Sequence, residues 1–345
     1  MVFLDYASTC PIVKFSSQQY DGFYCNPNAA YAYAERKMLM ECEERIKAAI
    51  GVKSGHVLYF RCATEAIDWL YRATIEQADY IWWRRSPYEH DACQFGYEAK
   101  ANHISDAIDF YIHQWVNHIT GEIFSLKTIR SQLLETCKLI VDATAGFGKA
   151  KLPSGLDDIA DALFMSGHKI GCPELSFMWL SDSLCKWLGA TKDIRNQWGL
   201  HHGSLSVASV MALTDAVEWA CENGDRVDGH SVRLYVQMND LLDKARIEHY
   251  DVLEHQMFTC SINAVRLNDI NADALQQLLA SRGIYVGVGG SACSAAHDYR
   301  VLRAYGLTDD EASEVIRVSF GEETTESDIE ALVEGIKEYR ERFVV

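Results

Sequence analysis

Five short apolar runs constrain this chain most. They are "HVLYF", "YIWWRRS", "DAIDFYIHQWV", "KLIVDAT" and "DALFMSGHKIG", all falling between His56 and Gly171 or just at their edges. Strands of this kind, alternating with helices, predict a mostly parallel sheet covered on both sides. The fold class expected is therefore α/β, and ligands should bind beyond the carboxyl ends of the strands.

The helical patterns fit that frame. "AYAYAERKMLMECEERIKAAIGV" reads as a helix with an apolar stripe at Ala34, Met38, Cys42, Ile46 and Ala49 and a stop at Gly51. "CATEAIDWLYRATI" follows "HVLYF" as a second. "SVASVMALTDAVEWACENG" and "GHSVRLYVQMNDLLDKARI" read as two more, with a boundary near Asn223–Gly224. Beyond it lies a smaller α+β unit. It has strands "TCSINAVRL" and "SEVIRVSFG", a helix "NADALQQLLASRGI", and a last helix opening on Thr325-x-x-Asp328.

A length of 345 residues fits two or three domains. A net charge of −17 repels phosphates, so no direct nucleic-acid binding and no membrane partner are expected. "MVFLDYASTCP" lacks the basic start of an export signal. The eleven cysteines include no CxxC pair, so they read as reduced thiols of a cytoplasmic enzyme with no metal site.

Three residues suit one cofactor. Asp142 ends "KLIVD", Lys169 follows "ALFMSG", and Thr64 opens a helix after "HVLYF". In a parallel sheet all three reach one edge. An acid, a lysine and a helix N-terminus that can cradle phosphate are the parts a pyridoxal phosphate site needs. An ordinary Asp142–Lys169 salt bridge is the competing explanation. "GGSACSAA" adds a cysteine, Cys293, among residues too small to bury it. A packing residue in a tight turn is the plain reading of such a thiol.

Resemblance goes further. "VFLDYASTCP" is similar to the opening of the class V aminotransferase fold. "CNPNAAYAYAERKMLMECEERI", "LYFRCATEAI", "PYEHDA", "VNHITGEI", "IVDATAGFGK", "FMSGHKIGCPE", "HHGSLSV", "GGSACSAA" and "VIRVSFGEETTESDIEAL" follow in the order found in cysteine desulfurases. The likeness covers nearly the whole chain and resembles the subgroup with the longer catalytic loop. It implies a fold-type I pyridoxal phosphate homodimer with a seven-stranded type of sheet. A large domain over 14–223 would hold the cofactor, and a small one built from 1–13 and 224–345 would carry the cysteine loop.

The resemblance also implies roles. Lys169 would hold pyridoxal 5'-phosphate covalently, with Asp142 on its ring nitrogen and His90 stacked on its ring. Ala63, Thr64, Ser166 and His168 match phosphate ligands, and Ser204 matches a residue reaching the neighbouring subunit's phosphate. Arg317 would clamp the carboxylate of L-cysteine, with Asn26 close by. Cys293 would take the sulfur as a persulfide and pass it to a protein acceptor. That acceptor is an iron–sulfur scaffold, a tRNA-thiolation enzyme or a DNA-phosphorothioation system.

The chain departs from the family at several points. His118 and Ala145 replace the Asn and Gln that contact the cofactor's ring oxygen, and His118 is the single donor left to take their place. Cys62, His201 and Glu322 replace a glycine and two arginines. Selenocysteine or cystine lyase activity, transamination, and a weakly active cofactor-binding scaffold for sulfur-transfer partners are the alternatives.

Overall fold

The computed structural model describes residues 1–22, 24–77, 81–93, 108–253, 256–288 and 299–344. The 289–296 segment with Cys293 lies outside them. The chain packs as two units. The larger comprises Ile12–Trp115 and Ser125–Asn223; the smaller comprises Met1–Pro11, Val116–Phe124 and Gly224–Val345.

Val116–Phe124 thus corrects the reading of 14–223 as one uninterrupted domain, and Ile12 and Val13 fall with the larger unit. Backbone pairing explains the excursion. Ile123 N donates to Met257 O (2.7 Å) and Thr259 N to Gly121 O (3.0 Å), which ties the segment to the smaller unit.

The chain opens with β1 (Val2–Leu4). In the larger unit, β2 (His56–Phe60), β3 (Ile81–Arg85), β4 (Ile108–Gln114), β5 (Lys138–Asp142), β6 (Ala162–Met165) and β7 (Ser176–Leu180) form one sheet. Its order is β2-β7-β6-β5-β4-β3, so the described residues supply six strands rather than the expected seven. β3 to β6 run parallel, and β7 is antiparallel to both neighbours.

β7 is the strand that sequence reading missed. All five residues of "SFMWL" are buried, so no alternation marks them, and the run sits directly after the Gly-Cys-Pro turn. Phe60, Ile67, Leu70, Phe110, Phe164 and Met178 form the core between this sheet and its helices.

The first long helix, Tyr33–Ile50, ends at Gly51, whose φ of 76° is left-handed as a helix stop requires. Its buried face differs from the expected stripe: Glu35, Leu39, Cys42, Glu43, Ile46 and Ile50 are buried while Ala34 is exposed. The two acids account for the rotation, because each has partners. Glu35 accepts from Cys25 N (2.9 Å). Glu43 accepts from Trp198 Nε1 and pairs with the His56 ring, both at 2.9 Å.

The two helices expected around Asn223–Gly224 are one, Val207–Lys244. A glycine inside a helix costs only about 1 kcal/mol. The Asn223 side chain turns back to donate to Trp219 O (2.9 Å) instead of ending the helix.

In the smaller unit β8 (His249–Asp251), β9 (Ile262–Leu267), β10 (Ile284–Val288) and β11 (Val315–Ser319) join β1 in the order β1-β10-β11-β9-β8. Helices Ala272–Ser281 and Glu326–Phe343 cover it. Ile316, Val318 and Phe320 share a core with Ile329, Leu332, Val333, Ile336 and Tyr339. The Thr325–Asp328 capping box forms as expected.

Candidate active site

In the larger unit the site is built at the carboxyl ends of β4, β5 and β6. Asp142 closes β5, opposite Gln114 on one side and Phe164 on the other. Its Oδ1 accepts from Thr144 N (2.8 Å), which holds the carboxylate at the sheet edge. It is buried, with 8% of its surface exposed. A carboxylate kept this dry needs a positive or donating partner.

β6 passes through Ser166 into a single turn, Gly167–Ile170, that carries His168 and Lys169. The turn is pulled tight: a Cβ on Gly167 would lie 2.0 Å from Leu175 O. Gly167 N donates to Ser176 Oγ (3.2 Å), and that hydroxyl donates to Arg61 O (3.4 Å). Arg61 leads into the helix Ala63–Gln77, whose first residues are Ala63 and Thr64. Ser176 therefore ties the lysine turn to a helix N-terminus, which is an anion-binding end. Burial and the nearby Lys169 and Lys149 cations push the His168 ring down to about 4. At neutral pH it is an uncharged ring beside two cations.

His90 lies in the loop after β3. Gln114 Nε2 donates to Tyr88 O and holds this loop against the end of β4. Ala92 N donates to His90 Nδ1 (3.0 Å), so the neutral ring carries its proton on Nε2. Glu89, directly before it, was not singled out in the sequence. It is fully buried, and its carboxyl oxygen, the Cys93 sulfur and an Asp142 oxygen all lie within 4.8 Å of one another. An acid directly before the candidate histidine in "PYEHDA" was the signal available.

Asn26 and Ser204 are both exposed and lie on loops joined through Asn28. Asn26 Oδ1 accepts from Asn28 N (2.9 Å), and Asn28 Nδ2 donates to Asn196 Oδ1 (3.0 Å) and Gly203 O (3.3 Å). His201 stacks on Phe60 with ring centroids 4.8 Å apart. Ala145 is buried in the turn after β5.

In the smaller unit Arg317, on β11, is buried. Its Nη1 donates to His118 O (2.9 Å) and its Nη2 to Asp5 Oδ1 (2.5 Å). Nε has no hydrogen-bond partner among the described residues. A buried donor left over on a guanidinium suits an incoming carboxylate. His118 is buried beside it, and Glu322 pairs with Arg226.

The donor set in the larger unit fits pyridoxal phosphate. It offers a dry acid, a lysine on a tight turn, a helix N-terminus and an uncharged histidine. Thr144 adds a buried hydroxyl, Oγ1, with no partner among the described residues, two residues from Asp142.

Comparison with known proteins agrees with this architecture. The aminotransferase class-V family matches residues 89–332, and the chain belongs to that family. A curated relative is the cysteine desulfurase IscS of Mannheimia succiniciproducens, 27% identical over 97% of this chain and 92% of its own length. A solved NifS-like protein superposes with a TM-score of 0.79 at 21% identity, covering 99% of both chains. A NifS-like protein from Rickettsia africae gives 0.77 at 17% identity, also over 99% of both. These likenesses establish the fold as that of NifS-like, fold-type I proteins. No helix among the described residues is long and apolar enough to cross a membrane.

Proposed function

We propose that the protein is a pyridoxal-phosphate-dependent cysteine desulfurase. It would convert L-cysteine to L-alanine and leave a persulfide on Cys293 for a protein acceptor. The observation that carries this reading is the junction of Asp142 with the Ser166–Lys169 turn and the Ala63–Thr64 helix end at one sheet edge. The relatives named as cysteine desulfurases support it.

When bound, the cofactor would supply an electron sink that withdraws charge from the substrate carbon. Asp142 would hold its ring nitrogen, and Lys169 would attach it and move protons. Ala63, Thr64, Ser166 and His168 would take the phosphate, with Ser204 from a second copy completing the cradle in a homodimer. His90 would stack on the cofactor's ring, with the neutral imidazole's proton on Nε2. Arg317 would bind the substrate carboxylate with Asn26 nearby, and His118 would stand in for the ring-oxygen donors that Ala145 cannot provide. Cys293, outside the described residues, would attack the substrate sulfur. Eleven cysteines with no CxxC pair suit reduced thiols in a cytoplasmic setting.

The test is incubation of purified, cofactor-loaded protein with L-cysteine and a reductant. Alanine and sulfide should appear in equal amounts, and one extra sulfur should sit on the peptide containing Cys293. Borohydride should fix the pyridoxyl group to Lys169. Cys293→Ser should keep the cofactor and lose sulfur transfer. A cofactor-loaded wild type that releases no alanine refutes the assignment. Supplying an iron–sulfur scaffold, a tRNA-thiolation enzyme or a DNA-phosphorothioation partner as persulfide acceptor distinguishes the pathways.

A further inference from the structure

The buried acid Glu89 has no part in the roles above. It is completely inaccessible, and with Cys93 and Asp142 it forms a cluster whose oxygen and sulfur atoms lie within 4.8 Å of one another. Two carboxylates this close and this dry cannot both ionise cheaply. Asp142 accepts the Thr144 N–H at the sheet edge, and its carboxylate is the one the proposed cofactor role needs. Glu89 accepts from His90 N (3.3 Å), the Gln114 backbone and the Cys93 thiol, but its burial and the Asp142 charge outweigh these donors. The titratable groups around it are Asp142 on β5, Cys93 in the following turn and Tyr111 on β4, while Arg85 at the end of β3 faces Cys93. Burial holds both the Cys93 thiol and the Tyr111 phenol in their neutral forms.

We propose that Glu89 is a charge-compensating positioning residue: a neutral carboxyl that spares the Asp142 site a second negative charge until a cationic ring nitrogen settles there, and then releases its proton to solvent. Burial first, and then the Asp142 charge, push the Glu89 carboxyl up to about 8, which agrees with this arrangement. The proposal rests on the reading of Asp142 as the partner of the cofactor's ring nitrogen. A cation opposite Asp142 favours ionised Glu89, so by linkage ionised Glu89 favours the cation.

Two measurements test it with wild type and Glu89→Gln, a variant of nearly the same shape that carries no ionisable proton. The first is urea unfolding of the cofactor-free chain from pH 4.5 to 8. A folded acid whose proton is held to higher pH than in the unfolded chain adds stability at low pH and loses it as pH rises. The wild-type unfolding constant should therefore climb with pH relative to Glu89→Gln, by at most about tenfold per unit. Parallel profiles overturn the proposal.

The second is pyridoxal phosphate affinity between pH 7 and 9, expressed as the ratio of wild type to Glu89→Gln. Titration of the free cofactor cancels in that ratio, which should shift toward tighter wild-type binding as pH rises. A ratio independent of pH overturns the proton-release step. A wild type that binds no pyridoxal phosphate at any pH refutes the function proposed above instead, and the unfolding profiles then decide the state of Glu89 alone.

Discussion

Buried Arg317 and half-buried Asp5 form an ion pair, Nη2 to Oδ1 at 2.5 Å, that leaves no room for a side chain on Gly287. Gly287 is the cross-strand partner of Arg317. A Cβ there would lie 2.9 Å from Arg317 Nε and 3.1 Å from Asp5 Oδ1. Gly287→Ala should push the guanidinium away from Asp5 and lower stability by about 1–3 kcal/mol. Because Nε is the donor left for a carboxylate, the KM for L-cysteine should rise more than kcat falls. Urea unfolding and steady-state kinetics check both. Unchanged KM with lowered stability would remove Arg317 from substrate binding.

Glu43 stands between His56 and Trp198. It takes Nδ1 of one and Nε1 of the other at 2.9 Å, while the two rings stack 3.9 Å apart. Removing the acid leaves the half-buried indole N–H without its acceptor. Glu43→Ala should cost about 2–4 kcal/mol, from lost hydrogen bonds and a small void. Glu43→Gln, which keeps an acceptor oxygen, should cost less. Equal costs for the two would mean that volume rather than hydrogen bonding sets the effect.

The same helix shows where the sequence was legible and where it was not. Its extent and its Gly51 stop followed from local signals. Its buried face did not, because hydrophobic periodicity cannot tell that Glu35 and Glu43 point inward to waiting donors. The site divides in the same way. Asp142, Lys169 and Thr64 could be read because each follows a recognisable strand, and strand ends in a parallel sheet converge. Ser176 and Glu89 could not. Ser176 opens β7, a strand without alternation, and Glu89 matters only through an approach to Asp142 that the chain makes 53 residues later. The long helix through Asn223–Gly224 failed for a related reason: a local stop signal was outweighed by continuous burial on either side, at Ala220 and Val227.

Acid should weaken the fold through two histidines. Burial pushes His113 down to about 4, against a bond from its ring nitrogen to Gln114 O (2.7 Å), and His168 is down to about 4 as well. Unfolded histidines take up protons near pH 6.5. Between about 6.5 and 4 the unfolded chain binds protons that these folded rings refuse. Their contribution is complete above pH 6.5 and is lost as pH falls through 4. For His113 the loss is about 3 kcal/mol at most. His113→Gln should flatten the fall in stability across this window in urea titrations. A slope identical to wild type would show that His113 titrates freely.

The last prediction concerns three consecutive residues in left-handed backbone. Asn196, Gln197 and Trp198 have φ of 51°, 53° and 62°. Such conformations are costly for residues other than glycine, and a fold keeps them only where side chains hold them in place. Gln197 supplies the hold. Its Oε1 accepts from Tyr59 N (2.6 Å) and its Nε2 donates to Tyr59 O (3.3 Å), so its amide acts as a strand partner on the open side of β2. The segment also carries Asn196, which bonds Asn28 from backbone and side chain. Gln197→Ala should leave the Tyr59 groups unpaired and cost about 2–3 kcal/mol. Gln197→Glu should cost more, because a carboxylate cannot donate to Tyr59 O and adds a buried charge. If Ser204 completes the phosphate site of a second copy, as proposed above, both should also weaken pyridoxal phosphate binding through displacement of the loop before Ser204. Urea unfolding and cofactor titration measure the two effects. A Gln197→Glu protein as stable as wild type would refute the strand-partner role, whatever the cofactor result.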